Sequence, residues 1–144
     1  MSVLTLDRVR IHPGSATQDE ALREAAGQLV AAGAVTDDYL EAMRQRELTA
    51  STFMGNGLAI PHGTNDAKDA MLSSALSVTR YDGGVDWAGE NATFVIGIAG
   101  KDGGHLEILS QIAILFSDED DVARLNAAAT PEELFELLSA VNES

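Results

Sequence analysis

The stretch "ATFVIGIAG" (92–100) is apolar at almost every position. A strand with one wet face would alternate; apolar side chains on both alternating faces predict a central strand covered on both sides. Such a strand needs two helical layers, and the chain supplies helices on either side of it. Upstream, Thr17 and Glu20 form a capping box ahead of "ALREAAGQLVAA" (21–32), where Leu22, Ala25, Leu29 and Val30 share one stripe and Gly33 provides the stop. Thr36 is the expected cap of a second helix with Tyr39, Leu40 and Met43 on its apolar face. Downstream come "HLEILSQIAILF" (105–116), with Asp102 placed to cap it, "DEDDVARLNAA" (118–128) and "TPEELFELLSAV" (130–141). The last of these has Thr130 as cap, Pro131 at the first helical position and Glu133 closing the box.

The remaining strands are shorter. "VLTLDRVRI" (3–11) reads as an opening strand ended by the "HPG" turn, and "GLAI", "ALSVTRY" and "GVDWAG" are further candidates broken by Gly, Asp and Asn. The order is strand, two helices, several strands, three helices. That is a sheet with helices on its faces, a mixed α/β or α+β domain, without strict βαβ alternation. With 144 residues, no repeats and no low-complexity linker, residues 1–144 are expected to form one domain.

Composition narrows the chemistry. There are no cysteines, which excludes disulfides, thiolate metal sites and cysteine nucleophiles. The formal charge of −14 repels nucleic acid phosphates and favours a partner with a basic face. The start, "MSVLTLDRVR", lacks the basic and apolar segments of a signal peptide, and no apolar run approaches a membrane span. A cytoplasmic protein without membrane insertion is expected. P-loop, GxGxxG, GxSxG and HExxH motifs are missing, and neither a cofactor nor a metal is expected.

Three histidines remain. His12, in a turn, is assigned no role. His62 stands in "GNGLAIPHG" (55–63), where an apolar run stops at a proline. Pro61 fixes its own φ and biases Ile60 toward an extended conformation, and Gly63 is expected to let the chain turn without covering the ring. Thr64 could orient one ring nitrogen. A neutral imidazole held at a strand end is a competent nucleophile near pH 7; an ordinary loop histidine is the other reading. His105 follows "KDGG" and falls in the first turn of its helix, where free N–H groups and the dipole favour an anion and a neutral imidazole. It is also at helical spacing from Leu109, Ile112 and Phe116, so a half-buried core histidine is its other reading. Arg44 and Arg46 end the second helix, where an arginine fork would position a phosphate or simply face solvent. Lys68 and Asp69 read as a surface turn.

The run "GNGLAIPHGTNDAKD" resembles the active-site segment of the enzyme IIA proteins of the bacterial phosphoenolpyruvate-dependent sugar phosphotransferase system, mannitol/fructose class, mannitol branch. The resemblance extends to "YLEAMRQRE", with Arg46 sixteen residues before His62, to "FVIGIAGKDGGHLEILSQIAILFSDED" and to the closing "TPEELFELL". It implies a mixed parallel and antiparallel sheet flanked by helices. It implies that His62 takes a phosphoryl group from the carrier HPr and passes it to a cysteine of enzyme IIB. His105 would hydrogen-bond the phosphoryl oxygens and Arg46 would neutralise them, while Arg44 would remain on the surface. Thr64, Pro61, Gly63 and Asp102 would support them. An apolar rim of Leu58, Ile60 and residues near Phe53 and Met54 would keep water off the phosphohistidine. With no linker, membrane segment or IIB-like motif, the IIB and membrane functions are expected on a separate permease chain. A regulatory role like that of the nitrogen-related IIA proteins is the alternative.

Overall fold

Among the residues described by the computed structural model (4–63, 70–100 and 104–138, without the side chains of 104–108), five strands form one sheet and five α-helices cover it. The strands are β1 (Val9–His12), β2 (Phe53–Gly55), β3 (Leu58–Ala59), β4 (Ala75–Trp87) and β5 (Glu90–Ala99). The helices are α1 (Gln18–Ala31), α2 (Tyr39–Thr49), α3 (Gly104–Ser117), α4 (Glu119–Ala127) and α5 (Pro131–Leu138). The sheet order is β1-β4-β5-β3-β2, with β1 parallel to β4, β5 antiparallel to β4, β3 parallel to β5, and β2 antiparallel to β3. The fold is α/β with a mixed sheet, as the sequence predicts.

The apolar stretch 92–100 is the middle of that sheet. Phe94, Ile96 and Ile98 enter a core with Leu58, Ile112, Phe116, Leu125, Leu134 and Leu138, beneath α3, α4 and α5. Val95 and Ala99 enter the other, beneath α1 and α2, built with Ala21, Ala25, Ala26, Leu29, Tyr39 and Met43. The two cores differ in kind. Leucine, isoleucine and phenylalanine fill the first by volume, whereas alanines on the α1 side bring the helix backbone close to the sheet. Gly97 marks the contact: a Cβ built there would lie 2.7 Å from Ser77 Oγ and 2.8 Å from Ala25 Cβ.

Several local expectations change. The opening segment is not strand from residue 3; Leu6–Arg8 is a 3₁₀ turn and the strand begins at Val9. The Arg8 guanidinium reaches the Leu76 carbonyl at 2.8 Å, a side-chain bond in place of a ladder rung. Thr36 does not cap α2; Asp38 is the N-cap, without a side-chain bond, and the Thr36 carbonyl instead accepts from Tyr39 N. "ALSVTRY" and "GVDWAG" are one strand, β4, whose pairing with β5 shifts register between Arg80 and Val85, next to Gly84 at φ +78°. Strand β2 was not expected. Asn56 (φ 52°) and Gly57 (φ 76°) make the tight turn joining it to β3, since both central positions there need the left-handed region. The capping box at Thr17 forms, with Glu20 N donating to its hydroxyl at 3.1 Å and the Glu20 carboxylate accepting from Thr17 N. At Thr130 only half of it does, since Glu133 N donates to the hydroxyl at 3.1 Å but the Glu133 carboxylate accepts from Ala129 N, one residue before the cap. Among the described residues, no helix is long and apolar enough to cross a membrane.

Gly97→Ala forces either α1 or Ser77 to move and should cost about 1–3 kcal/mol, as overpacking of a tight core does. Urea unfolding followed by fluorescence of Trp87, the one tryptophan of the chain, should show a lower midpoint with an unchanged slope. An unchanged midpoint would mean that α1 can lift from the sheet at no cost.

Candidate functional site

Strands β3 and β5 run parallel, so their carboxyl ends lie at one edge of the sheet, where ligands of open α/β sheets gather. His62 sits there. Its backbone forms a parallel bridge with Ile98, and Ile98 N–H donates to the Pro61 carbonyl at 3.0 Å. One residue earlier, Ile60 N–H donates to Thr52 O at 3.1 Å, which ties the approach to β2. The imidazole is half-buried, and its Nδ1 lies 2.8 Å from the Ile60 carbonyl oxygen. A carbonyl only accepts, so Nδ1 carries the proton and, in the neutral ring, Nε2 carries the lone pair. A backbone carbonyl two residues back thus orients the ring. Thr64, to which the sequence assigns that job, lies outside the described residues.

Tyr39, the first residue of α2, completes the turn. Its hydroxyl donates to the Ile98 carbonyl at 2.6 Å and accepts from Gly63 N–H at 2.9 Å. The ring lies so close that a Cβ on Gly63 would sit 2.7 Å from Tyr39 Cε1 and 3.3 Å from Ala42 Cβ. Gly63 has no positive φ; close approach of α2, not backbone freedom, is what requires glycine. The sequence puts Tyr39 on the apolar face of its helix and gives no direct sign of these bonds. The signal available was a tyrosine, with its polar tip, at a position otherwise suited to leucine.

Arg46 follows Tyr39 and Ala42 on the same stripe of α2, at the i, i+3, i+7 spacing, about 6 Å along the axis from Ala42. Its guanidinium donates to the Ala50 carbonyl at 2.7 Å, at the C-terminal end of its own helix. Arg44 is on a different stripe and does more than face solvent. It grips Asp19 of α1 through two bonds, 2.9 and 3.2 Å, which hold the Asp19 carboxyl below its ordinary range. His105 is the second residue of α3, within its first turn. Its side chain, with Asp102, Lys68 and Asp69, lies outside the described residues. The expected apolar rim is not formed by Leu58 and Ile60, which are core residues; Phe53 is half-buried against the α1 side, and Met54 is exposed.

His12 lies at the other end of the sheet. Strand β1 runs opposite to β3 and β5, and the His12 ring stacks on Tyr81 with centroids 5.2 Å apart while Nε2 approaches Glu24 at 3.5 Å. It is therefore anchored rather than loose in a turn.

The chain matches, over residues 2–141, the family described as "Phosphoenolpyruvate-dependent sugar phosphotransferase system, EIIA 2". It belongs to this family. Among enzyme IIA relatives, the "Mannitol-specific phosphotransferase enzyme IIA component" of Staphylococcus aureus (strain Mu50 / ATCC 700699) is 50% identical over 128 residues, 89% of each chain. The protein of the same description from Bacillus subtilis (strain 168) is 42% identical over 143 residues, 99% of this chain and 100% of that one. A solved structure of enzyme IIAMTL in complex with phosphorylated enzyme IIBMTL from Escherichia coli has a chain that superposes with a TM-score of 0.84 at 34% identity, covering 95% of this chain and 99% of that one.

The two tyrosines report on burial. Desolvation pushes the Tyr39 phenol above its ordinary range, with the Gly63 N–H pulling partly back, and burial beside Glu24 and Glu20 raises Tyr81 to about 12. A spectrophotometric titration of the folded protein should therefore show no phenolate at the usual midpoint near pH 10. Because the fold holds both phenols neutral, their contribution to stability is complete below about pH 10 and is lost as the pH rises beyond it. Phenolate appearing at the usual midpoint would mean that one ring is solvated.

Proposed function

We propose that this enzyme IIA protein is a phosphoryl carrier of mannitol-type sugar uptake, accepting phosphate on His62 from phospho-HPr and handing it to a cysteine of an enzyme IIB on another chain. The single observation that supports it best is the ring geometry: Nδ1–H donating to the Ile60 carbonyl puts the lone pair of the neutral ring on Nε2, the nitrogen that would attack. In the transfer, the Nε2 lone pair attacks the phosphorus in line. The P–N bond of the donor phosphohistidine breaks, and its electron pair returns to the HPr imidazole. A thiolate of IIB then repeats the displacement, and the electron pair returns to Nε2.

The protein's contribution is placement and charge, since a loose phosphoryl transition state asks for little covalent work. As Nε2 bonds to phosphorus the ring gains positive charge, and the Nδ1–H···O=C bond to Ile60 becomes charge-assisted and stronger. The equatorial oxygens need donors. Arg46, on the stripe of α2 that faces the turn, is the proposed cation; its bond to the Ala50 carbonyl is exposed and replaceable. The start of α3 and His105 are the proposed further donors, with Asp102 and Thr64 in support. The mannitol-specific names of the relatives, and the complex of the Escherichia coli protein with phosphorylated IIB, favour this reading over a regulatory one.

Intact mass after mixing with phosphoenolpyruvate, enzyme I and HPr should show one acid-labile phosphoryl group, absent in His62→Ala. Arg46→Ala should remain a substrate but react roughly 100-fold more slowly, the cost of losing one donor to developing charge, and His105→Ala should also be slowed. Onward transfer to a IIB cysteine separates transport from regulation. No phosphoryl group on the wild type, with HPr itself phosphorylated, would refute the carrier.

A further inference from the structure

The parallel ladder between the His62 segment and β5 ends abnormally. Opposite Ile98 a regular ladder has two rungs: Ile98 N–H to the Pro61 carbonyl, and Gly63 N–H to the Ile98 carbonyl. The first is present at 3.0 Å. In the second, the Tyr39 hydroxyl is interposed, accepting from Gly63 N–H at 2.9 Å and donating to Ile98 O at 2.6 Å. A phenol from a helix has been spliced into the sheet. The Gly63 N–H is thereby joined to β5 through the phenol, and His62 is pinned on both sides.

From this we infer that Tyr39 is a positioning residue for His62, its hydroxyl fixing the backbone on which the Nδ1–H···O=C(Ile60) bond, and with it the reactive tautomer, depends. The inference rests on the carrier reading for its consequence in rate, but not for its structural content. Tyr39 is fully buried, and both of its polar contacts are backbone groups, the Ile98 carbonyl and the Gly63 N–H. The ring fits only because residue 63 lacks a Cβ. The same helix carries Arg46 two turns further on, so one rigid element sets both the imidazole and the proposed cation. Nothing about the core requires the hydroxyl; phenylalanine would fill the volume equally well.

The test is Tyr39→Phe, compared with wild type by nitrogen-15 NMR of the His62 ring without any phosphoryl donor, and by phosphoryl uptake from phospho-HPr. In the wild type the Nδ1–H tautomer should dominate, and the Tyr39 hydroxyl proton should exchange slowly with water and show a cross-peak to the Gly63 amide. Tyr39→Phe should raise the population of the other tautomer. It should slow uptake roughly 10- to 100-fold, the cost of a small misplacement of a reacting group, with little change in the half-saturating HPr concentration. A folded Tyr39→Phe with wild-type tautomer and rate would overturn the inference, since a purely structural role lowers stability alone. A freely exchanging hydroxyl in the wild type would overturn it even if the variant failed to fold. Failure of the wild type to take phosphate would count against the carrier and leave the tautomer and hydroxyl results to decide on Tyr39.

Discussion

A strand with no wet face dictates most of this structure. Once Phe94, Ile96 and Ile98 face one way and Val95 and Ala99 the other, both sides of β5 must be roofed, and the chain does so with helices before and after it. The same burial leaves the backbone of β5 obliged to satisfy every N–H and C=O within the protein. At Ile98 those two groups reach out to Pro61 and Tyr39, and the His62 turn is held by them. The site is in this sense a by-product of completing the central strand's hydrogen bonds.

The fold was legible because its signals are one-dimensional. An apolar run, two capping boxes and helical stripes each depend on residues close in sequence, and they gave the layers and the order of elements. What depended on distance was not legible. The Asn56-Gly57 turn is a strong local hairpin signal, yet β2 and β3 are so short that no alternation surrounds it. β4 was divided because its glycines resemble a turn, whereas across from β5 they absorb a shift in register. Arg44 looked superfluous since its partner, Asp19, lies a whole helix away.

The site was half legible for the same reason. His62, between Pro61 and Gly63, stood out by its neighbours. Glycine at 63, however, answers to an aromatic ring from residue 39, not to a turn, and that contact is one no local spacing encodes. An apolar run beside a reactive group suggests a shield, yet Leu58 and Ile60 are core residues, in β3 and just after it. Tyr39 was hidden by its own amphipathic nature, correctly placed on the buried face and incompletely understood there.

The unlike character of the two cores has a consequence for how such a chain drifts over time. Under α3, α4 and α5, bulky aliphatic side chains can exchange methyl groups with one another, so that a loss at one position is open to compensation at the next. Under α1, alanines and Gly97 define a distance rather than a volume, and a distance has no neighbour that can give it back. Descendants of this sequence should therefore wander freely on one side of the sheet and stay nearly silent on the other.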